Sequence, residues 1–177
     1  KIIVFGGAGF LGSHVADRLS EQKHEVIIFD LNHSPYLRPD QTMIIGNILD
    51  REKVSDAITG CDVIYNFAGL ADMEKATSRP LETVQANITG AIHIMEAAVK
   101  AKVKRLVYAS SVYVYSQKGG FYRCSKQAAE LYIEEYQNCY DLDFTILRYG
   151  TLYGPRAGNE NAIYNYFVNC LGYIPYI

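Results

Sequence analysis

Short runs of consecutive apolar residues alternate with segments of helical period, and this alternation restricts the chain more than any other feature. The runs are KIIVF (1–5), EVIIFD (25–30), TMIIG (42–46), DVIYNF (62–67), KRLVYAS (104–110) and DFTILRY (143–149). A strand that is apolar throughout has both faces to cover, which points to a parallel sheet between layers of helix. Helical spacing fills the gaps at 10–22, 51–58, 80–101 and 121–139, and a further helix is expected at 161–171. Leu11, Val15 and Leu19 lie four apart on one face, Asp50 stands where a cap belongs, and Pro80 suits a first helical turn. Right-handed crossovers make this order an α/β fold, a doubly wound parallel sheet (Rossmann fold) with helices on both faces.

Composition removes several function classes. With 17 Lys+Arg against 19 Asp+Glu the net charge is −2, so there is no basic footprint and no nucleic-acid partner is expected. No apolar run reaches the length of a membrane span, so no membrane partner is expected either. Lys1 followed by IIVFGGAGFLG resembles a signal peptide, but glycines at fixed spacing before the amphipathic SHVADRLSEQ read as strand, turn and helix of the mature protein. The four cysteines form no CxxC pair and the four histidines have no ligand spacing, so no metal site is expected. Such cysteines read as small buried hydrophobes in a reducing compartment, and a cytoplasmic location is expected.

Three groups of residues carry chemistry. Gly6, Gly9 and Gly12 form G-x-x-G-x-x-G directly after a strand and at the start of a helix. A diphosphate needs a turn free of Cβ atoms with helix N–H groups aimed at it. Asp30 ends the second apolar run 18 residues beyond Gly12, where a carboxylate accepts both adenosine ribose hydroxyls and repels a 2′-phosphate. No Arg or Lys follows at 31–33, so NAD is favoured over NADP. Tyr122 and Lys126, Y-x-x-x-K, return to one face of a helix. Lowering a phenol from about 10 to near 7 needs roughly 4 kcal/mol of preference for the phenolate, for which a neighbouring ammonium is a natural source. Such spacings arise easily in a chain with 15 Tyr, as Tyr132 and Tyr136 show. Ser110 and Ser111 end the fifth run, at the sheet end where ligands bind, and either could bond the same substrate oxygen or simply its own backbone.

GGAGFLG, Asp30, GNILD (46–50), NFAG (66–69), ASSVYVY (109–115), YRCSK (122–126) and LRYGTLYGPR (147–156) occur in one order. Together they resemble the extended short-chain dehydrogenase/reductases, specifically the NAD-dependent nucleotide-sugar epimerase/dehydratase family. The resemblance implies catalytic Ser111, Tyr122 and Lys126. It implies NAD contacts from Gly6, Gly9, Phe10, Leu11, Gly12, Asp30, Asn47, Ile48, Phe67, Ala68, Gly69, Tyr149, Tyr122 and Lys126, with Phe10 and Leu11 holding the pyrophosphate and Asn47 beside the adenine. Asn87 resembles a helix Asn of structural role. Residues 1–177 would be the NAD-binding domain, with the family's C-terminal substrate-binding segment at most begun after about 155. The Ser111–Tyr122 interval is short for the family, and Thr151 stands where many members carry Asn. The expected partners are a nucleotide-sugar substrate and a second copy of the chain, in a homodimer through the helices at 80–101 and 121–139. Rival readings are a sugar-nucleotide reductase of the same family and a non-catalytic NAD-binding fragment or regulatory protein.

Overall fold

In a computed structural model, which describes residues 1–158 and 161–172, six parallel strands form one sheet in the order β3-β2-β1-β4-β5-β6. The strands are β1 (Ile2–Phe5), β2 (Val26–Asp30), β3 (Gln41–Ile45), β4 (Val63–Asn66), β5 (Arg105–Ser111) and β6 (Phe144–Tyr149). The strand order reverses between β1 and β4, which opens a crevice at their carboxyl ends. The doubly wound fold expected from the apolar runs is the fold observed.

Alternation along the strands divides the core in two. Ile3, Phe5, Ile27 and Phe29 face one side, together with the apolar stripes of α2 (Arg51–Ile58), α5 (Gly90–Lys100) and α6 (Gly120–Tyr140). Ile2, Val4, Val26 and Ile28 face the other, against Ala16 and Leu19 of α1 (Phe10–Glu21). Asp50 caps α2 by accepting the Lys53 N–H at 3.1 Å, as its position predicts.

Two local features differ from the sequence reading. A short helix, α3 (Met73–Ser78), follows β4, capped by Asp72 accepting from Glu74 and Lys75. The expected helix at 80–101 is interrupted: α4 (Pro80–Val84) passes through a π-helical turn at Gln85–Thr89 before α5. Such single π turns gather at functional sites. This one turns the Asn87 side chain toward the loop after β4, where Oδ1 accepts the Leu70 N–H at 2.7 Å and Nδ2 donates to the Leu70 carbonyl at 3.0 Å. Nδ2 also donates to Ser125 Oγ at 2.9 Å, so Asn87 ties that loop to α6. The last helix, α7 (Ala162–Gly172), leaves Tyr166, Phe167 and Leu171 exposed.

Candidate active site

The β1–α1 turn is built for backbone rather than side chains. Gly6 sits at φ +76°, and a Cβ on Gly12 would lie 2.1 Å from the Gly6 carbonyl oxygen. The α1 N-cap, Gly9, supplies no side-chain bond, and the first turn holds no acidic residue. The N–H groups of Phe10 and Leu11 therefore have no acceptor within the helix and face outward with the positive end of its dipole. That arrangement fits an anionic diphosphate.

A groove of about 470 Å³ continues from this turn across the crevice, lined by Gly6, Gly9, Asp30, Asn47, Ile48, Phe67, Ala68 and Gly69 among others. All eight were expected from sequence. Leu31, Gly46, Leu49, Glu82, Gln85 and Ala86 also line it and were not. Asp30 is held in place from behind, its Oδ2 accepting the Ala8 N–H at 3.0 Å and its Oδ1 that of Asn32 at 3.3 Å. The side-chain Oδ1 of Asn47 accepts the Leu49 N–H at 2.9 Å, which leaves that oxygen's second lone pair and the Nδ2 donors for a ligand. On the loop between β2 and β3, Arg38 is paired with Asp40 and Glu21.

Ser111, Tyr122 and Lys126 do not line that groove; they meet at the carboxyl end of β5. Ser111 is the last residue of β5 and pairs in register with Tyr149 of β6. Its Oγ accepts the Tyr113 N–H at 3.3 Å, opening a 3₁₀ turn at Val112–Tyr115. Ser110, the other candidate, has a buried Oγ without a partner among the described residues. Lys126 is buried at 6% exposure. Its ammonium donates to the Ala109 carbonyl at 2.8 Å and lies 4.8 Å from the Tyr108 ring centroid and 5.8 Å from that of Tyr122.

With no ligand bound, burial pushes the Tyr122 phenol up, with the Ser111 hydroxyl beside it pulling the other way. Burial also lowers Lys126 to about 8, against the nearby Glu130 carboxylate. A depressed lysine destabilises the fold wherever the unfolded chain keeps its proton, so stability should rise between pH 8 and about 10.5. Lys126→Met is accordingly expected to be more stable than the parent by on the order of 1–3 kcal/mol at pH 7, an advantage that shrinks toward pH 10.5. Urea unfolding of both proteins at the two pH values checks this; a less stable variant at pH 7 would overturn it.

A glycine cradle and an acidic strand end at the switch point of a 3-2-1-4-5-6 sheet define a domain of the dinucleotide-binding type. A sequence model of the NAD dependent epimerase/dehydratase family matches residues 2–172, and the chain belongs to that family. It is 30% identical over 175 residues to a putative UDP-glucose 4-epimerase of Methanocaldococcus jannaschii, covering 88% of this chain and 57% of that protein. It is 28% identical over 189 residues to dTDP-D-glucose 4,6-dehydratase of Mus musculus, covering 92% and 53%. Among solved structures, UDP-glucose 4-epimerase of Thermotoga maritima with UDP-glucose superposes with a TM-score of 0.88 at 26% identity, covering 94% of this chain and 61% of that one. The Thermus thermophilus UDP-glucose 4-epimerase complex with NAD gives 0.88 and 26%, covering 99% and 64%. The chain thus spans little more than half the length of the two curated relatives described.

Proposed function

We propose that this chain is the NAD-binding and catalytic half of a nucleotide-sugar epimerase or dehydratase. The observation that carries the reading is the meeting of Ser111, Tyr122 and Lys126 beside a glycine-walled groove that ends at a carboxylate. Gly6, Gly9, Gly12 and the N–H groups of Phe10 and Leu11 would hold the pyrophosphate, Asp30 the adenosine ribose, and Asn47 and Ile48 the adenine. Phe67, Ala68 and Gly69 would complete the wall, and Tyr149, which does not line the groove, would approach the nicotinamide from the end of β6. Bound there, the oxidised nicotinamide supplies a hydride acceptor and the positive charge that the Tyr122 phenol needs in order to ionise. Tyr122 Oη then takes the proton of a sugar hydroxyl, and Ser111 Oγ donates a hydrogen bond to the same oxygen. Lys126 would hold the nicotinamide ribose and, together with that charge, favour the phenolate. Incubating the protein with NAD and either UDP-glucose or dTDP-glucose, then separating the products, tests the reading. An epimer or a keto-sugar supports it; unchanged sugars with NAD bound would oppose it.

Cofactor choice rests on Asp30. NAD is expected to bind more tightly than NADP, and Asp30→Ala should narrow the difference by about tenfold or more. Calorimetric titration of both cofactors measures it, and equal affinities in the parent protein would sink the claim.

We also propose a homodimer through α4 and α6. On α6, Ala129, Ile133 and Tyr136 pack into the core, whereas Leu131 at 64% and Tyr132 at 46% exposure form a second stripe. Leu81, Val84 and Phe121 are exposed on the same side, along a groove that also includes Ile88, Cys124 and Ala128. A contiguous exposed apolar patch is commonly a contact surface. Met95, with Ile92 and Val99, packs in the core instead, so on α5 the apolar spacing serves the sheet. Sedimentation at micromolar concentration is expected to give a dimer that Leu131→Glu dissociates. A monomer with NAD present would refute it.

A further inference from the structure

One turn beyond Lys126, Glu130 is buried at 7% exposure, at the i,i+4 distance that ordinarily joins a lysine and a glutamate. Among the described residues no ion pair joins them. The carboxylate is taken by Arg148 of β6 instead. Arg148 Nε donates to Oε1 at 3.1 Å and to Oε2 at 3.3 Å, and Nη2 donates to Oε2 at 2.8 Å. A guanidinium fork matches a carboxylate in a way that a flexible ammonium cannot, so the arginine wins. The same guanidinium bonds the Tyr115 hydroxyl and lies 4.9 Å from its ring centroid, at the end of the turn that Ser111 opens.

We propose, building on the functional reading above, that Arg148 is a positioning residue: by holding Glu130 it keeps the Lys126 ammonium free for a ligand, and through Tyr115 it ties α6 to the turn carrying Ser111. The groups facing Lys126 are Tyr108 from β5, with Tyr122 and Glu130 from its own helix. Of these only Glu130 is ordinarily anionic at neutral pH. Without Arg148, that carboxylate has the buried ammonium as its natural partner. Lys126 would then turn away from Ala109 and the ligand. A second substitution that removes the carboxylate should undo the damage, a pattern that simple loss of packing does not produce.

The test follows the Lys126 side-chain amine by NMR in ligand-free protein labelled with ¹⁵N-lysine, its signal assigned with Lys126→Arg. Arg148→Ala is expected to raise the titration midpoint by about one unit, and Glu130→Gln/Arg148→Ala to bring it to or below the parent value. NAD affinity, measured by calorimetry, should fall about tenfold in Arg148→Ala and recover most of that in the double variant. Arg148→Lys, which keeps the charge, should lie between parent and Arg148→Ala, and serves where Arg148→Ala does not fold. Equal midpoints in the single and double variants would overturn the inference, as would a single-variant midpoint at or below the parent's. A parent protein that does not bind NAD would sink the functional reading and leave the titration standing.

Discussion

Tyr122→Phe is expected to lower turnover by about 10²- to 10⁴-fold, the usual contribution of a positioned proton acceptor, while NAD affinity changes by no more than about twofold. The ring is packed into the site and Phe keeps that packing; only the oxygen that takes the substrate proton is lost. The upward push of burial on this phenol gives the prediction a second part. With no ligand bound, Tyr122 should titrate above an ordinary tyrosine. Addition of NAD should move it down, because the site then gains a positive charge next to a buried lysine. Turnover assays and NMR of ring-labelled tyrosine measure the two parts. Retention of most activity in Tyr122→Phe would mean that another base acts here.

Gly12→Ala should be the most damaging single methyl group in the chain. The new Cβ would meet the Gly6 carbonyl oxygen at 2.1 Å, its carbon at 2.8 Å and the Gly7 Cα at 2.9 Å, all of them backbone. No side chain can swing away, so either α1 lifts from β1 or the turn opens. Overpacking of this kind costs about 1–3 kcal/mol, or a drop in Tm of roughly 2–12 °C for a chain of this size. The N–H groups of Phe10 and Leu11 would move with the helix, and NAD affinity should fall about tenfold or more. Thermal unfolding and calorimetry read both effects. A variant with unchanged Tm and affinity would show that the turn is not held as described. Gly60→Ala is the control for a glycine whose Cβ meets nothing within 4 Å, although its φ of +75° carries a strain of its own.

Much of the site was legible because its chemistry is local. Asp30 could be placed by counting from Gly12, since a strand, a helix and a second strand of ordinary length bring the strand end back beside the turn. The other residues of the groove wall were harder. Leu31 is a single apolar residue between Asp30 and Asn32, Leu49 is overshadowed by its neighbour Ile48, and Gln85 and Ala86 belong to what reads as uninterrupted helix. Nothing in QANIT announces a π turn, because its residues are ordinary helix formers and the extra residue per turn is imposed by what Asn87 bonds. The helix α3 went unseen for a related reason. Six residues with one buried side chain, Ala76, leave no period to detect.

The sequence by itself determined the strand–helix alternation of a parallel sheet, the glycine turn and the spacing of Tyr122 and Lys126, because each depends on residues within one strand–helix unit. Only the tertiary structure decided which way the pKa values of that pair move and which residue pairs with Glu130. Burial of Lys126 and Tyr122 comes from β5 and α6 closing on each other, and it moves the ammonium down and the phenol up. Glu130 chooses between a lysine four residues away and an arginine eighteen residues away. The strand pairing of β6 with β5 brings Arg148 within 2.8 Å and settles that choice. Local spacing fixes which groups are available, whereas solvent exclusion and long-range geometry fix which way their pKa values move and where they point.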